Sequence, residues 1–168
     1  EFGTRRGIHI PAERPLTVFV DKRELVTLMT LGALPELLVL GYLRNQRLID
    51  SVAQIESVTV DWDVHAAAVK TRTGITDIEA RTAKRVVTTG CGQGTVFGDL
   101  MEEIDSVRLP VDARLTQAAL FALLDRVRLH ETIYKQAGAV HGCALASHDA
   151  ASADILMFVE DVGRHNAV

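Results

Sequence analysis

The order of apolar runs and glycine turns predicts an α/β fold, and three stretches carry that prediction. The β-branched pair Val86-Val87 runs into Thr88-Thr89-Gly90-Cys91-Gly92-Gln93-Gly94-Thr95 and then into a helical pattern through Ile104, which is strand, tight turn and helix in succession. Residues 112–129 place Leu115, Ala118, Ala119, Ala122 and Leu123 on one face and Arg114, Gln117, Asp125 and Arg128 on others, the pattern of an amphipathic helix. Two apolar runs follow, 140–146 and 155–159. The second has no polar interruption, as in a strand covered on both faces.

Composition bounds the function. A chain of 168 residues, 48% apolar and 24% charged, is long enough to bury a core and has no disordered character. The net charge of -4 supplies no basic field for bulk nucleic-acid binding, although a local arginine can still grip a phosphate. Two cysteines, Cys91 and Cys143, make neither a disulfide framework nor a four-cysteine zinc site, and reducing cytoplasm is the expected compartment. The longest apolar run, 37–40, is too short for a bilayer span, and no leader pattern opens the chain, so no membrane is expected. The opening Glu1-Phe2-Gly3-Thr4 reads as an expression remnant or an internal cut.

From the amino end, Pro11 and Pro15 precede Leu16-Thr17-Val18-Phe19-Val20, which the prolines mark as an edge strand. Asp21 begins a turn. Leu25, Leu28 and Met29 predict a helix over 22–31; Gly32 ends it, and Pro35 opens a second helix to about Leu43. Residues 44–51 predict a polar loop in which Arg44 and Arg47 are either solvated or in contact with a phosphate. A hairpin follows, with strands at 55–62 and 64–70, His65 as an ordinary strand residue and Thr73-Gly74 as its end. A short helix at 77–81 leads to Val86. Beyond the glycine turn, Asp112 is the expected cap of helix 112–129, a shorter helical piece spans 130–136, and Gly138 stops it. Runs 140–146 and 155–159 form a second hairpin around a small polar turn at 149–154. No linker composition or repeat divides the chain.

Two sites stand out chemically. Gly90, Gly92 and Gly94 remove three Cβ atoms in five positions around Cys91, so amides can approach a ligand and the sulfur can project from the turn. A following helix favours thiolate over thiol. The same pattern is also compatible with a small buried cysteine in a strand-to-helix turn. Gly90, Gly92 and Gly94 read G-x-G-x-G without the later glycine of a dinucleotide fingerprint, and no GK[S/T] follows. The second site is Glu160-Asp161-Val162-Gly163-Arg164-His165-Asn166-Ala167-Val168, at the end of the apolar strand where α/β folds place ligands. Arg164 has the planar fork that clamps phosphate, and Asp161 is placed to hold a ribose hydroxyl or to orient His165. The competing assignment is a charged strand end with Asp161 capping the next helix.

Thr89-Gly90-Cys91-Gly92, Val140-His141-Gly142-Cys143-Ala144-Leu145 and the 160–168 motif together resemble the FdhD family, accessory proteins of formate dehydrogenase, in order and approximate spacing. The resemblance implies a cytidine-deaminase-like three-layer α/β core over 76–168, cut short at its carboxyl end, with a small α+β portion over 1–75. It implies a sulfurtransferase-type sulfur carrier. Such a carrier takes persulfide sulfur from a cysteine desulfurase and passes it to the molybdenum (or tungsten) bis-guanine-dinucleotide cofactor required by formate dehydrogenase. In that family's terms Cys91 matches the persulfide cysteine, while Gly94 stands where a second cysteine is common, leaving single-thiol transfer. Gly163, Arg164 and His165 match the motif on the nucleotide side, His141 lies on a strand ending near the same cleft, and Cys143 replaces a small residue and is structural. Gly90, Gly92 and Gly94 would add amide donors for the pyrophosphate. Arg44-Asn45-Gln46-Arg47 departs from the acidic pattern usual in that loop. The resemblance implies no metal of the protein's own and allows a homodimer. Two alternatives stand beside it: a chaperone that holds the cofactor without covalent chemistry, and a zinc hydrolase or deaminase using Cys91, Cys143, His141 and His165. The second lacks paired cysteines at ligand spacing and a His-x-Glu motif.

Overall fold

The structure, a computed structural model, describes residues 7–76, 78, 107–130, 132–147 and 154–168. The glycine turn with Gly90, Cys91, Gly92 and Gly94, its flanking strand and helix, and nearly all of the expected helix at 77–81 and turn at 149–154 lie outside them.

The chain is a mixed α/β protein. Strands β1 (Arg14–Val20), β2 (Arg23–Thr30), β3 (Ile55–Asp61) and β4 (Ala66–Thr71) form one sheet in the order β2-β1-β4-β3. Asp21 and Lys22 both adopt left-handed backbone, φ 47° and 71°, and such a two-residue turn matches the twist of a β1–β2 hairpin. β1 also pairs in parallel with β4, from Thr17 opposite Ala66 to Val20 opposite Val69. One face of this sheet carries Leu16, Val18, Val20, Leu25, Leu28, Ala67 and Val69 beneath helix α1 (Pro35–Asn45), whose Val39 and Leu43 complete the core. Leu48 and Ile49 close its edge.

Several expectations are corrected here. β1 is an interior strand, not an edge. Pro15 is tolerated because pairing with β4 begins only at Thr17, so its missing N–H faces no ladder. Residues 23–30 form a strand, not a helix. The register of β1 against β2 slips between Val18 and Phe19, which face Val26 and Glu24, so Leu25 is left over in the ladder. That bulge puts Leu25 and Leu28 on the same buried side at a spacing of three, which imitates a helix. The 44–51 loop is not wholly polar, since Leu48 and Ile49 are buried, and Ser51 caps a short 3-10 turn at Val52–Gln54. His65 belongs to the β3–β4 turn at φ 53°, not to a strand.

The second sheet is the antiparallel hairpin of β5 (His141–Ala146) and β6 (Ile155–Asp161). Helices α2 (Gln117–Leu129) and α3 (Ile133–Ala137) precede it, and the single turn α4 (Arg164–Ala167) follows. α2 is capped by Thr116, whose Oγ1 accepts the Ala119 N–H at 3.1 Å, and not by Asp112. Arg114 donates to the carbonyls of Val111 and Ala113, at 2.9 and 2.8 Å, and keeps that approach out of the helix. Thr132 caps α3 in the same way, and Gly138 ends it with φ 67°. On one side of the hairpin the Phe158 ring stacks on His130, centroids 5.3 Å apart. The expectation that the 155–159 strand is covered on both faces fails: Met157 is 46% exposed, and its partner Leu145, on the 140–146 strand, is 61% exposed. The helices that pack on this hairpin cover only part of its apolar surface. Among the described residues no helix is long and apolar enough to cross a membrane.

Candidate functional site

The site grows from the carboxyl end of β6. Asp161 is buried there, opposite His141 in the β5–β6 ladder. Its Oδ2 accepts the Thr30 hydroxyl at 2.5 Å and the Leu31 N–H at 3.1 Å. Its Oδ1 accepts the Gly163 N–H at 2.9 Å and the Asn166 amide at 2.9 Å. Hydrogen bonds to an ionised group contribute about 1.5–3 kcal/mol each, so these four contacts decide where the chain goes next. It turns at Gly163 and makes the single helical turn α4, whose Asn166 and Ala167 amides return to the Gly163 carbonyl. Gly163 leaves room for the Asn166 side chain: a Cβ there would lie 3.2 Å from its amide nitrogen, which would have to give by a few tenths of an ångström.

The outcome of this folding is that Arg164 and His165 are exposed at the end of the two-stranded sheet, and His141 is exposed at the start of the neighbouring strand. The structure therefore brings together His141, Asp161, Gly163, Arg164 and His165. An arginine and two histidines at one exposed strand end suit an anionic ligand. Asp161 does not share their exposure. With both oxygens taken by four donors, it holds the turn and is not turned towards a ribose. Nor does it cap α4 by its side chain as a helix N-cap; Gly163 occupies that position. Glu160 points the other way and accepts the Ile133 and Tyr134 amides at 2.7 and 3.1 Å, fixing the start of α3.

Thr30 and Asn166 were missed as site residues by sequence reasoning. Nothing local marks Thr30, because its partner lies 131 positions away; Asn166 was visible only as an amide within the motif. Cys143 is a free, half-buried cysteine on β5 opposite Val159. Among the described residues no group of three or more His, Cys, Asp or Glu is placed to hold a metal ion. An open depression of about 320 Å³ lies elsewhere, lined by Arg126, Leu129, His130, Asp154 and Ile155, and contains none of the motif residues.

Residues 11–168 match the sequence profile of the FdhD/NarQ family. The chain belongs to that family. The FdhD/NarQ chain is 29% identical over 173 residues to the sulfur carrier protein FdhD of Listeria innocua, covering 100% of this chain and 64% of that one. It is 26% identical over 162 residues to the sulfur carrier protein FdhD of Sulfolobus acidocaldarius, covering 95% and 58%. It therefore spans less than two thirds of the length of these curated relatives. Among solved structures, a protein described as a formate dehydrogenase accessory protein, from Desulfotalea psychrophila, superposes with a TM-score of 0.66 at 19% identity. That match covers 95% of this chain and 56% of the other, and gives this FdhD/NarQ chain the same fold.

Proposed function

We propose that this chain is the sulfur-carrying part of a formate dehydrogenase accessory protein. Cys91 receives the terminal sulfur of a desulfurase persulfide: its thiolate attacks that sulfur, the donor's S–S bond breaks, and the donor cysteine leaves as thiolate. The Cys91 S–S bond then breaks as its terminal sulfur passes to the molybdenum or tungsten bis-guanine-dinucleotide cofactor, a substrate in this scheme; Cys91 leaves as thiolate, and the reduced cofactor supplies the electron pair that takes the sulfur to the sulfide level before the cofactor enters formate dehydrogenase in the cytoplasm. Arg164 and His165, with His141 beside them, meet its phosphates, and the amides of Gly90, Gly92 and Gly94 add donors. The observation that carries this reading is the 160–168 motif. Within a family match running over 11–168, it holds an arginine and a histidine exposed on a turn fixed from behind by Asp161.

The test is mass spectrometry after incubation with a cysteine desulfurase and cysteine. One additional sulfur on Cys91, absent in Cys91→Ala and removed by reductant, is expected. Labelling at Cys143, or none, overturns the carrier. Gly94, where a second cysteine would stand, favours one competing reading: a chaperone that binds the cofactor without a persulfide. In that case Cys91→Ala would still support formate dehydrogenase maturation, whereas the carrier requires that it fail.

A further inference from the structure

We propose that Thr30 and Asn166 are positioning residues that act through Asp161, fastening the turn that carries Arg164 and His165 to the end of β2. The end of β2 offers three consecutive groups: the Met29 carbonyl, the Thr30 hydroxyl and the Leu31 N–H. Asp161 Oδ2 takes the last two, and the Asn166 amide donates to Met29 at 2.8 Å. That same amide nitrogen donates to Asp161 Oδ1 at 2.9 Å within the turn, so one of its hydrogens crosses the seam and the other holds the carboxylate that also crosses it. Thr30 is equally committed, donating to Asp161 while accepting the Gly32 N–H at 3.1 Å.

The Thr30–Asp161 contact at the centre of the seam is buried, with Thr30 at 2% and Asp161 at 6% exposure, while the Asn166–Met29 contact at its margin reaches solvent. Removing one partner would leave a buried carboxylate under-satisfied, which costs more than the lost hydrogen bond alone. More importantly, α4 is only four residues long. A helix of one turn does not sustain itself, because nucleation fixes several dihedrals for a single hydrogen bond. The directions of Arg164 and His165 are therefore set by the seam and not by the helix that contains them. A phosphate clamp tolerates little displacement, so residues that never touch the ligand control its binding.

The inference rests on the reading that this turn meets the nucleotide part of the cofactor, and the experiment separates the two. Guanosine 5′-diphosphate is titrated calorimetrically into this chain and into its Thr30→Val, Thr30→Ser, Asn166→Asp and Arg164→Ala variants. Amide hydrogen exchange and the His165 imidazole NMR signals are followed in each. Thr30→Val keeps the shape but loses the donor, and Asn166→Asp turns two donors into acceptors facing a carbonyl and a carboxylate. Both are expected to weaken binding about tenfold, equivalent to about 1.4 kcal/mol, to accelerate exchange at Gly163, Asn166 and Ala167, and to shift the His165 signals. Thr30→Ser is expected to restore all three. Unchanged exchange and unchanged His165 signals in both damaging variants overturn the inference, as does failure of serine to rescue. If the unaltered chain takes up no nucleotide, or Arg164→Ala binds as well, the nucleotide reading falls while exchange and the His165 signals still decide the seam. Should Thr30→Val fail to fold, Asn166→Asp at a half-buried position gives the answer.

Discussion

Two glycines in this protein make room for a packed aromatic ring. Gly32 sits at φ +78°, and a Cβ there would lie 3.0 Å from the Trp62 ring and 3.1 Å from the Arg14 side chain, whose guanidinium rests 5.0 Å from the ring centroid. Gly32→Ala therefore imposes both a left-handed alanine and a clash. It is expected to cost more than about 1 kcal/mol in urea unfolding. Because Trp62 is the chain's one tryptophan, its fluorescence should shift in the same variant; an unaltered spectrum would show that the ring had not been displaced. Gly142 is a second such point, with a Cβ position 3.0 Å from the Phe158 ring that stacks on His130. The Asp21 carboxylate ties the first hairpin turn to β4, accepting the Thr71 hydroxyl at 2.6 Å and its amide at 2.9 Å. Exposed pairs such as Lys70–Glu56 contribute little beside these, because water and salt screen them.

At the level of elements, capping residues do local work that can be measured. Thr116→Ala removes the acceptor for the Ala119 amide and is expected to lower stability by about 1 kcal/mol, with some loss of helical circular dichroism, whereas Asp112→Ala should change neither. An equal effect of the two would restore the cap to Asp112. Most elements whose signals are local were legible in the sequence. Pro35 announced α1, Gly138 the end of α3, and alternating residues the β3–β4 hairpin. β2 was not legible, because a one-residue bulge shifted its buried positions from a spacing of two to three and mimicked a helix. β1 was mistaken for an edge because its parallel partner, β4, comes from far along the chain. The candidate site divides in the same way. Its residue types could be read from 160–168, but Asp161's burial depends on Thr30 and Leu31, which no local pattern connects to it. The Cys91 turn, which the sequence ranks first, falls outside the described residues.

Among the described residues, burial is distributed unevenly. The main apolar cluster lies in the four-stranded sheet and α1, with Leu16, Val18, Val39 and Leu43 fully enclosed, while α2 contributes no fully buried residue. The β5–β6 hairpin instead exposes Leu145 and Met157 as cross-strand neighbours. Replacing both with threonine is expected to leave unfolding free energy within about 0.5 kcal/mol, as for other exposed substitutions, and to reduce binding of a hydrophobic dye such as ANS. A loss above about 2 kcal/mol would mean that this surface is covered in solution. By contrast, Leu43→Ala, in the enclosed cluster, should cost about 2–5 kcal/mol.

The clasp between Thr30 and Asp161 also has a consequence for the order of events on the ribosome. The four-stranded sheet has all of its strands, and its buried cluster all of its members, once Thr71 has emerged. Until β6 is translated, however, the Thr30 hydroxyl has no Asp161 carboxylate to receive it, and the end of β2 has no turn to hold. Presentation of the Arg164-His165 pair thus depends on two segments made far apart in time: a nascent polypeptide that has not reached β6 would have every strand of its first sheet and yet display no ordered anion-facing end.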